Sequence, residues 1–294
     1  MDTAAERAFR EALMRSLVES AEAGDGTLAR ADLTNFRFAD RDWRLVDESR
    51  GIRNPSELET TLAIIHNPRG PYADREISPG VWEYAYEKGS PEGTNTKLRR
   101  AGELGLPVIF FLKLDTAVFV PVSLAFVIDD DRERRVFTVA LEEVGLLADP
   151  LHPTELQRRY AERIVRQRMH QPAFRGLVLR AYALRCTVCS LHHGALLDAA
   201  HIVPDGNDDP PGLPTTPNGL ALCKIHHAAY DQNMLGVSPD YRVAINQELL
   251  DEVDGPMLRH GLQEMHGRAL MLPARRVDRP DRERLAWRWK RFAE

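Results

Sequence analysis

The first twenty residues place Ala5, Ala8, Phe9, Ala12, Leu13, Ser16 and Leu17 on one helical stripe, and Gly24-Asp25-Gly26 closes that helix. From about Phe36 to Val144 the pattern changes to short apolar runs bounded by turn residues. Thr60–Ile65, Leu106–Lys113, Val118–Val122 and Leu124–Ile128 predict strands, and Arg135–Leu141 alternates. Asp129–Arg132 reads as a turn between two of them. Asn95–Leu104 is helical. Pro150 and Pro153 break the pattern, and Pro153-Thr154-Glu155 opens a helix running to Arg168, with Leu156, Tyr160, Ile164 and Val165 at helical spacing. Gly206–Pro217 is a loop by composition. Leu235–Val237 and Tyr241–Ile245 predict strands. Asp281–Phe292 predicts a helix with Leu285, Trp289 and Phe292 on one face. The pattern is that of an α+β chain: a β-rich domain over 1–150 with a helix at 1–25, a linker helix over 151–172, and a second domain over 173–294.

Length and composition narrow the class. A chain of 294 residues suits one large domain or two ordinary ones. With 43% hydrophobic and 28% charged residues it can bury real cores and is not a low-hydropathy disordered chain. Its longest apolar stretches fall short of the roughly 20 residues that span a bilayer. The N-terminus carries both charge signs and no apolar segment of a signal peptide. A soluble, cytoplasmic, bacterial protein with no membrane partner is the expectation. The net charge of −5 is unevenly spread: residues 1–150 sum to −8 and residues 151–294 to +3. Arg158–Arg185 carries eight Arg against one Glu, and Arg275–Arg291 eight basic groups against three acids. A solvated helix face accounts for such clusters as readily as a phosphate-binding surface does.

Cysteine usage changes the picture more. All three cysteines fall within 38 residues, and an odd count is a poor disulfide framework. They form two pairs, Cys186-x2-Cys189 and Cys223-x2-His226. A two-residue spacer lets a turn aim both side chains at one ion, so the pairs together supply four ligands to a tetrahedral Zn²⁺.

The insert between the pairs contains Leu197-Asp198-Ala199-Ala200-His201-Ile202-Val203-Pro204 and, after the loop, Pro217-Asn218-Gly219, with His227 following His226. His201, Asn218 and His227 in this order and spacing, flanked by zinc-ligand pairs, resemble the HNH nuclease family over about residues 180–245. The resemblance implies a ββα-metal fold and hydrolysis of phosphodiester bonds. It implies that His201 is the general base and that His227 ligates a catalytic Mg²⁺ or Mn²⁺. Asn218 would fix the loop, orient the base or reach the metal. Many members carry a ligand immediately before the first His; here that position is Ala200. Asp198 is then the substitute ligand, or else pairs with a nearby Arg. Lys224 and Arg185 are candidate phosphate contacts.

The N-terminal half contains Gly51-Ile52-Arg53-Asn54-Pro55, Gly70-Pro71-Tyr72-Ala73-Asp74, Trp82-Glu83-Tyr84-Ala85-Tyr86 and Asn95-Thr96-Lys97-Leu98. These elements resemble the SRA (SET- and RING-associated) domain, a PUA-like β-barrel, over about residues 45–140. The resemblance implies a reader of modified cytosine that flips the base out of the stack. Tyr72 with Tyr84 or Tyr86 would stack on it, and Asp74 would accept from its amino group. Arg53 and Arg99 are candidate DNA contacts, though pairing with the domain's many acids is the favoured reading. Each Tyr is equally explained as core. Taken together, the chain resembles the modification-dependent (type IV) restriction endonucleases of SRA–HNH organisation. These act on double-stranded DNA containing 5-methylcytosine or 5-hydroxymethylcytosine. A double-strand break from one active site implies a homodimer or two binding events. The rival readings are a non-catalytic modified-DNA reader built on a zinc scaffold and an HNH nicking enzyme with other targeting.

Overall fold

The run Leu106–Leu112 has no polar alternation, which in a strand means that both faces are covered. The computed structural model, which describes residues 2–68, 74–87 and 92–293, shows this. Two units divide the chain, one of residues 2–22 and 26–173, the other of residues 23–25 and 174–293.

The first unit runs α1 (Thr3–Glu22), β1 (Leu28–Ala29), α2 (Arg30–Thr34), β2 (Phe36–Phe38), β3 (Arg41–Trp43), β4 (Ile52–Arg53), β5 (Ala63–His66), β6 (Arg75–Ser78), β7 (Val81–Ala85), α3 (Asn95–Glu103), β8 (Val108–Asp115), β9 (Val118–Asp131), β10 (Val136–Leu141), α4 (Glu142–Gly145) and α5 (Glu155–Val165). A π-helical turn (Arg166–His170) and α6 (Gln171–Ala181) follow, with the division inside α6. The main sheet has the order β4-β5-β8-β9-β10-β7-β6, with β1 on β9. Successive residues of β8 point to opposite faces. Val108, Phe110 and Leu112 enter a core closed by α3 and α5. Ile109 and Phe111 enter a second core closed by α1, Phe36 and Trp43.

Four features differ from the sequence pattern. The expected barrel is an open sheet among the described residues, because no pairing joins β4 to β6. The strands expected at Val118–Val122 and Leu124–Ile128 are one strand, β9, since Ser123 stays in register opposite Phe110. The turn expected at Asp129–Arg132 lies three positions later, at 132–135: Asp129, Asp130 and Asp131 pair with Thr138, Phe137 and Val136, and Asp130 is neutralised by Arg99. The strand expected from Thr60 starts at Ala63, because the Thr60 hydroxyl donates to Glu6 Oε1 and accepts from Arg10, which pull it out of the ladder.

The second unit contains β11 (Leu197–His201), β12 (Gly219–Cys223), α7 (Lys224–Asp231), β13 (Leu235–Val237), β14 (Val243–Ile245), α8 (Gln247–Asp251), α9 (Pro256–Gly261) and α10 (Arg282–Ala293). β11 and β12 form an antiparallel hairpin in which Leu197 faces Cys223 and His201 faces Gly219. α7 packs across it, giving a ββα unit. Leu197, Ala200, Leu220 and Leu222 fill its core with Phe174, Val178 and Leu285. Among the described residues no helix is long and apolar enough to cross a membrane.

Candidate functional site

The donor atoms of Cys186, Cys189, Cys223 and His226 all lie within 4.8 Å of one another. The spacing works because Cys186–Cys189 occupies a turn while Cys223 ends β12 and His226 lies on the first turn of α7. His226 Nδ1 is 3.4 Å from Cys186 Sγ and 3.1 Å from Cys223 Sγ. Its Nε2 lies 2.7 Å from the Gly261 carbonyl. That contact fixes the ring so that Nδ1 faces the sulfurs, the outer-shell arrangement of a metal-bound histidine. Burial disfavours a charged imidazole here, but the thiolates of Cys186 and Cys223 outweigh it and push His226 up to about 10. A proton is thus held where a cation belongs. The Cys₃His donor set fits Zn²⁺.

The hairpin and α7 gather the second group. His201 stacks on Phe174, with ring centroids 3.9 Å apart and planes at 15°. This contact depends on Gly219 opposite: a Cβ there would lie 3.0 Å from Phe174 and 2.4 Å from Val178. His201 Nε2 is buried and has no hydrogen-bond partner among the described residues. Burial lowers the His201 pKa from 6.5, so the ring is neutral and its nitrogen lone pair is free.

Asp198 is a half-buried carboxylate that meets three cations or potential cations. Its Oδ1 accepts from Arg175 Nε at 3.2 Å, its Oδ2 accepts from Lys224 Nζ, and Oδ2 lies 3.7 Å from His227 Nδ1. Burial raises its pKa, but His227, Lys224 and Arg175 outweigh that and hold it well below the usual carboxylate range. Ala200, by contrast, is fully buried in the apolar core. His227 Nε2 lies 3.4 Å from Asp231 on the next turn of α7. Asp198, then opposing burial, then Asp231 set the His227 pKa, which is raised. Both Asp198 oxygens are already met by cations, Oδ1 by Arg175 and Oδ2 by Lys224, so a divalent cation held by Asp198 Oδ2 and His227 Nδ1 would take the place of the Lys224 ammonium.

Asn218 is fully buried and serves the loop. Its Oδ1 accepts from Val203 N at 2.9 Å, and its Nδ2 donates to Val203 O and Leu213 O, both at 2.9 Å. Both amide hydrogens are used, and the carbonyl is turned into the loop rather than toward His227. Arg185 is exposed. Phe174, Arg175 and Asp231 belong to this group but carry no motif. An apolar or charged residue of α6, some 25 positions before His201, gives no sequence sign of touching it.

In the first unit a cavity of about 210 Å³ is lined by Asp74, Tyr84, Ile65, Phe119, Glu87 and Arg50, among others. Asp74 Oδ1 accepts from Ala85 N at 3.3 Å, and its Oδ2 is 3.4 Å from His66 Nδ1. The Tyr84 hydroxyl donates to Ile65 O at 3.3 Å, and a Cβ at Gly51 would sit 2.6 Å from it. A neighbouring cleft is lined by Arg30, Arg44, Arg50 and Arg53 together with Asp47 and Glu48. Arg53 donates to Arg44 O at 2.8 Å and pairs with Asp47 at 3.4 Å.

Tyr86 and Arg99 are placed elsewhere. Tyr86 stacks on Phe137 at 4.5 Å and bonds Asp130. Arg99 is buried, with Nε donating to Asp130 at 2.6 Å and Nη2 to the Tyr86 hydroxyl at 3.0 Å. This is a core triad, because an uncompensated guanidinium in the interior is costly, and it turns Arg99 away from any phosphate. Tyr72 lies outside the described residues.

Residues 186–238 match the HNH endonuclease family, and the matched segment holds both groups except Phe174 and Arg175. No curated protein matches the chain. A solved structure described as "Modification dependent TagI restriction endonuclease" aligns over 91% of this chain and 92% of its own, at 16% identity and TM-score 0.32. Another, described as "Structure of the Type IV phosphorothioation-dependent restriction endonuclease ScoMcrA", aligns over 62% of this chain and 48% of its own, at 16% identity and TM-score 0.24.

Proposed function

We propose that this chain, a DNA endonuclease by the HNH domain it carries, cuts double-stranded DNA in response to a modified cytosine. The observation that carries the nuclease chemistry is the neutral His201, with an unpartnered Nε2, within electrostatic reach of His227, which in turn faces Asp198. His201 accepts the proton of the water that attacks phosphorus, and a buried neutral imidazole is suited to that step near pH 7. Phe174 holds its ring in plane. His227 and Asp198 are the residues that would hold a catalytic Mg²⁺ or Mn²⁺. Such an ion, when bound, stabilises charge on the leaving 3′-oxygen. Asn218 keeps the loop between the two strands in shape. Cys186, Cys189, Cys223 and His226 would hold a structural Zn²⁺ that fixes the start of α7 and hence His227.

The reader assignment to the first unit rests on Asp74 and Tyr84 lining one cavity. A flipped cytosine presents a flat face and an exocyclic amine. Tyr84 offers an aromatic surface, and Asp74 offers a carboxylate with lone pairs left over from Ala85 and His66. Carboxylate acceptance from that amine separates cytosine from thymine. The PUA-like character of this unit, its taste for 5-methylcytosine or 5-hydroxymethylcytosine, and any dimer in the cutting complex belong to the same proposal.

Binding of matched duplexes, unmodified, methylated or hydroxymethylated at cytosine, tests the reader without cleavage. The wild-type chain is expected to prefer a modified duplex by about tenfold to a hundredfold, the worth of one good base contact. Asp74→Ala should erase that preference and leave affinity for unmodified DNA intact. Equal affinity of the wild-type chain for all three duplexes would contradict the reader assignment.

A further inference from the structure

Arg284, Arg288 and Arg291 of α10 are spaced i, i+4 and i+7, which puts them on one helix face along about 10 Å of axis. None of the three has an acidic partner among the described residues. Arg288 donates to Asn233 Oδ1 at 2.5 Å and to Tyr230 O at 2.7 Å, and its guanidinium lies 4.8 Å from the Tyr230 ring centre. Arg284 donates to Pro211 O at 2.6 Å. Arg291 is exposed and lies 4.0 Å over the Trp287 ring. Lys290, next to it, is exposed and has no acidic partner among the described residues. The opposite face is anchored in the core by Leu285, and Phe292 lies against Gly236.

The partners of this stripe place it. Pro211 belongs to the loop between His201 and Asn218. Tyr230 and Asn233 sit at the end of α7, the helix that carries His227. α10 is therefore tied to both elements of the catalytic group and keeps its own positive charge unneutralised. By contrast Arg282, in the first turn of α10, pairs with Asp240, and Arg175, Arg259 and Arg275 elsewhere on the unit are also paired with carboxylates, so the unneutralised charge of α10 is confined to Arg284, Arg288, Lys290 and Arg291.

We infer that the C-terminal turn of α10 is a contact for the phosphate backbone of the DNA being cut, with the exposed, sequence-adjacent Arg291 and Lys290 as its free cations and Trp287 as the platform that holds Arg291 extended. The occupant follows from charge. Cations without acidic partners are matched by phosphates, and Arg grips them in a planar fork. Such contacts set register and affinity, not sequence preference. The inference rests on the endonuclease reading above.

The test is the salt dependence of duplex binding by the full chain, without added Mg²⁺ or Mn²⁺. Each phosphate contact contributes about 0.9 to the slope of log affinity against log salt. The double variant Lys290→Gln/Arg291→Gln is expected to lower the slope by about 2, with an unchanged melting temperature. In cleavage it should raise KM with kcat held within about twofold. Arg259→Gln, which removes a cation already paired with Glu264, should leave the slope as in wild type. If the double variant keeps the wild-type slope, or Arg259→Gln lowers it equally, the α10 contact is wrong while the nuclease stands. If the wild-type chain binds no duplex at all, the endonuclease reading fails and takes the α10 contact with it.

Discussion

His201 is neutral because Phe174 and the hairpin exclude water from its ring, and a buried imidazole resists charging. A base must be unprotonated to act. A lowered pKa therefore moves the acid limit of the rate below 6.5, and the rate is lost only as pH falls through that lowered value. His227 works the other way: Asp198 raises its pKa, so protons compete with a metal at higher pH. At limiting Mn²⁺ the acid limb should lie high, and saturating Mn²⁺ should shift it down toward the His201 value. A pH–rate profile at two metal concentrations checks this, and superimposable limbs would contradict it. Asn218→Ala removes three hydrogen bonds and strands the buried backbone N–H and C=O of Val203. A cost of about 1–3 kcal/mol for each stranded group predicts a clear fall in melting temperature together with lost activity. At this scale the sequence was informative wherever spacing encodes chemistry. His201, His227 and the four zinc-ligand positions announce themselves. Phe174, Arg175 and Asp231 do not, because they reach the site only through packing. Arg99 pairs with an acid, as its acidic surroundings suggest, although the particular partner, Asp130, lies 31 positions away.

Gly219 shows how an element rather than a residue builds the site. It faces His201 across the hairpin, and its missing side chain is the slot through which α6 delivers Phe174. Gly219→Ala should push Phe174 off the histidine ring, lowering both kcat and the melting temperature by the few degrees that 1–3 kcal/mol of overpacking gives. An Ala variant with wild-type kcat would show that the stacking is idle. The zinc cluster acts on the same scale, by joining the Cys186 turn to the start of α7. Chelation of Zn²⁺, or Cys186→Ser, should lower the melting temperature of the whole chain and abolish cleavage, with rescue of the chelated protein on adding Zn²⁺ back. Stability unchanged by a strong chelator would refute a structural metal. Strand identities were legible where the pattern has a period, as in β8 and β10. Strand ends were not. β9 continues through Ser123 and two aspartates because tertiary partners satisfy those polar groups, and a local pattern cannot show that.

At the scale of the molecule, the chain divides into a β-rich unit with a cavity at Asp74 and Tyr84 and a unit built around a ββα hairpin with a Cys₃His cluster of metal-type ligands. The α+β character and the Cys₃His cluster could be read from order and spacing, whereas the C-terminal catalytic roles follow only from the resemblance to HNH nucleases. The closure of the first sheet could not, since pairing between its edge strands is a long-range property. Its tyrosines were equally ambiguous: Tyr84 and Tyr86 are both buried in one core, and Tyr84 also lines the cavity. The account makes the first unit the switch and the second the blade. One measurement engages both: incubation of matched plasmids, unmodified, methylated or hydroxymethylated at cytosine, with the chain and Mg²⁺ or Mn²⁺, alongside His201→Ala. The account predicts cutting of a modified plasmid only, reduced by at least about a hundredfold in His201→Ala, the usual worth of a general base. Equal cutting of all three plasmids, or undiminished cutting by His201→Ala, would contradict it.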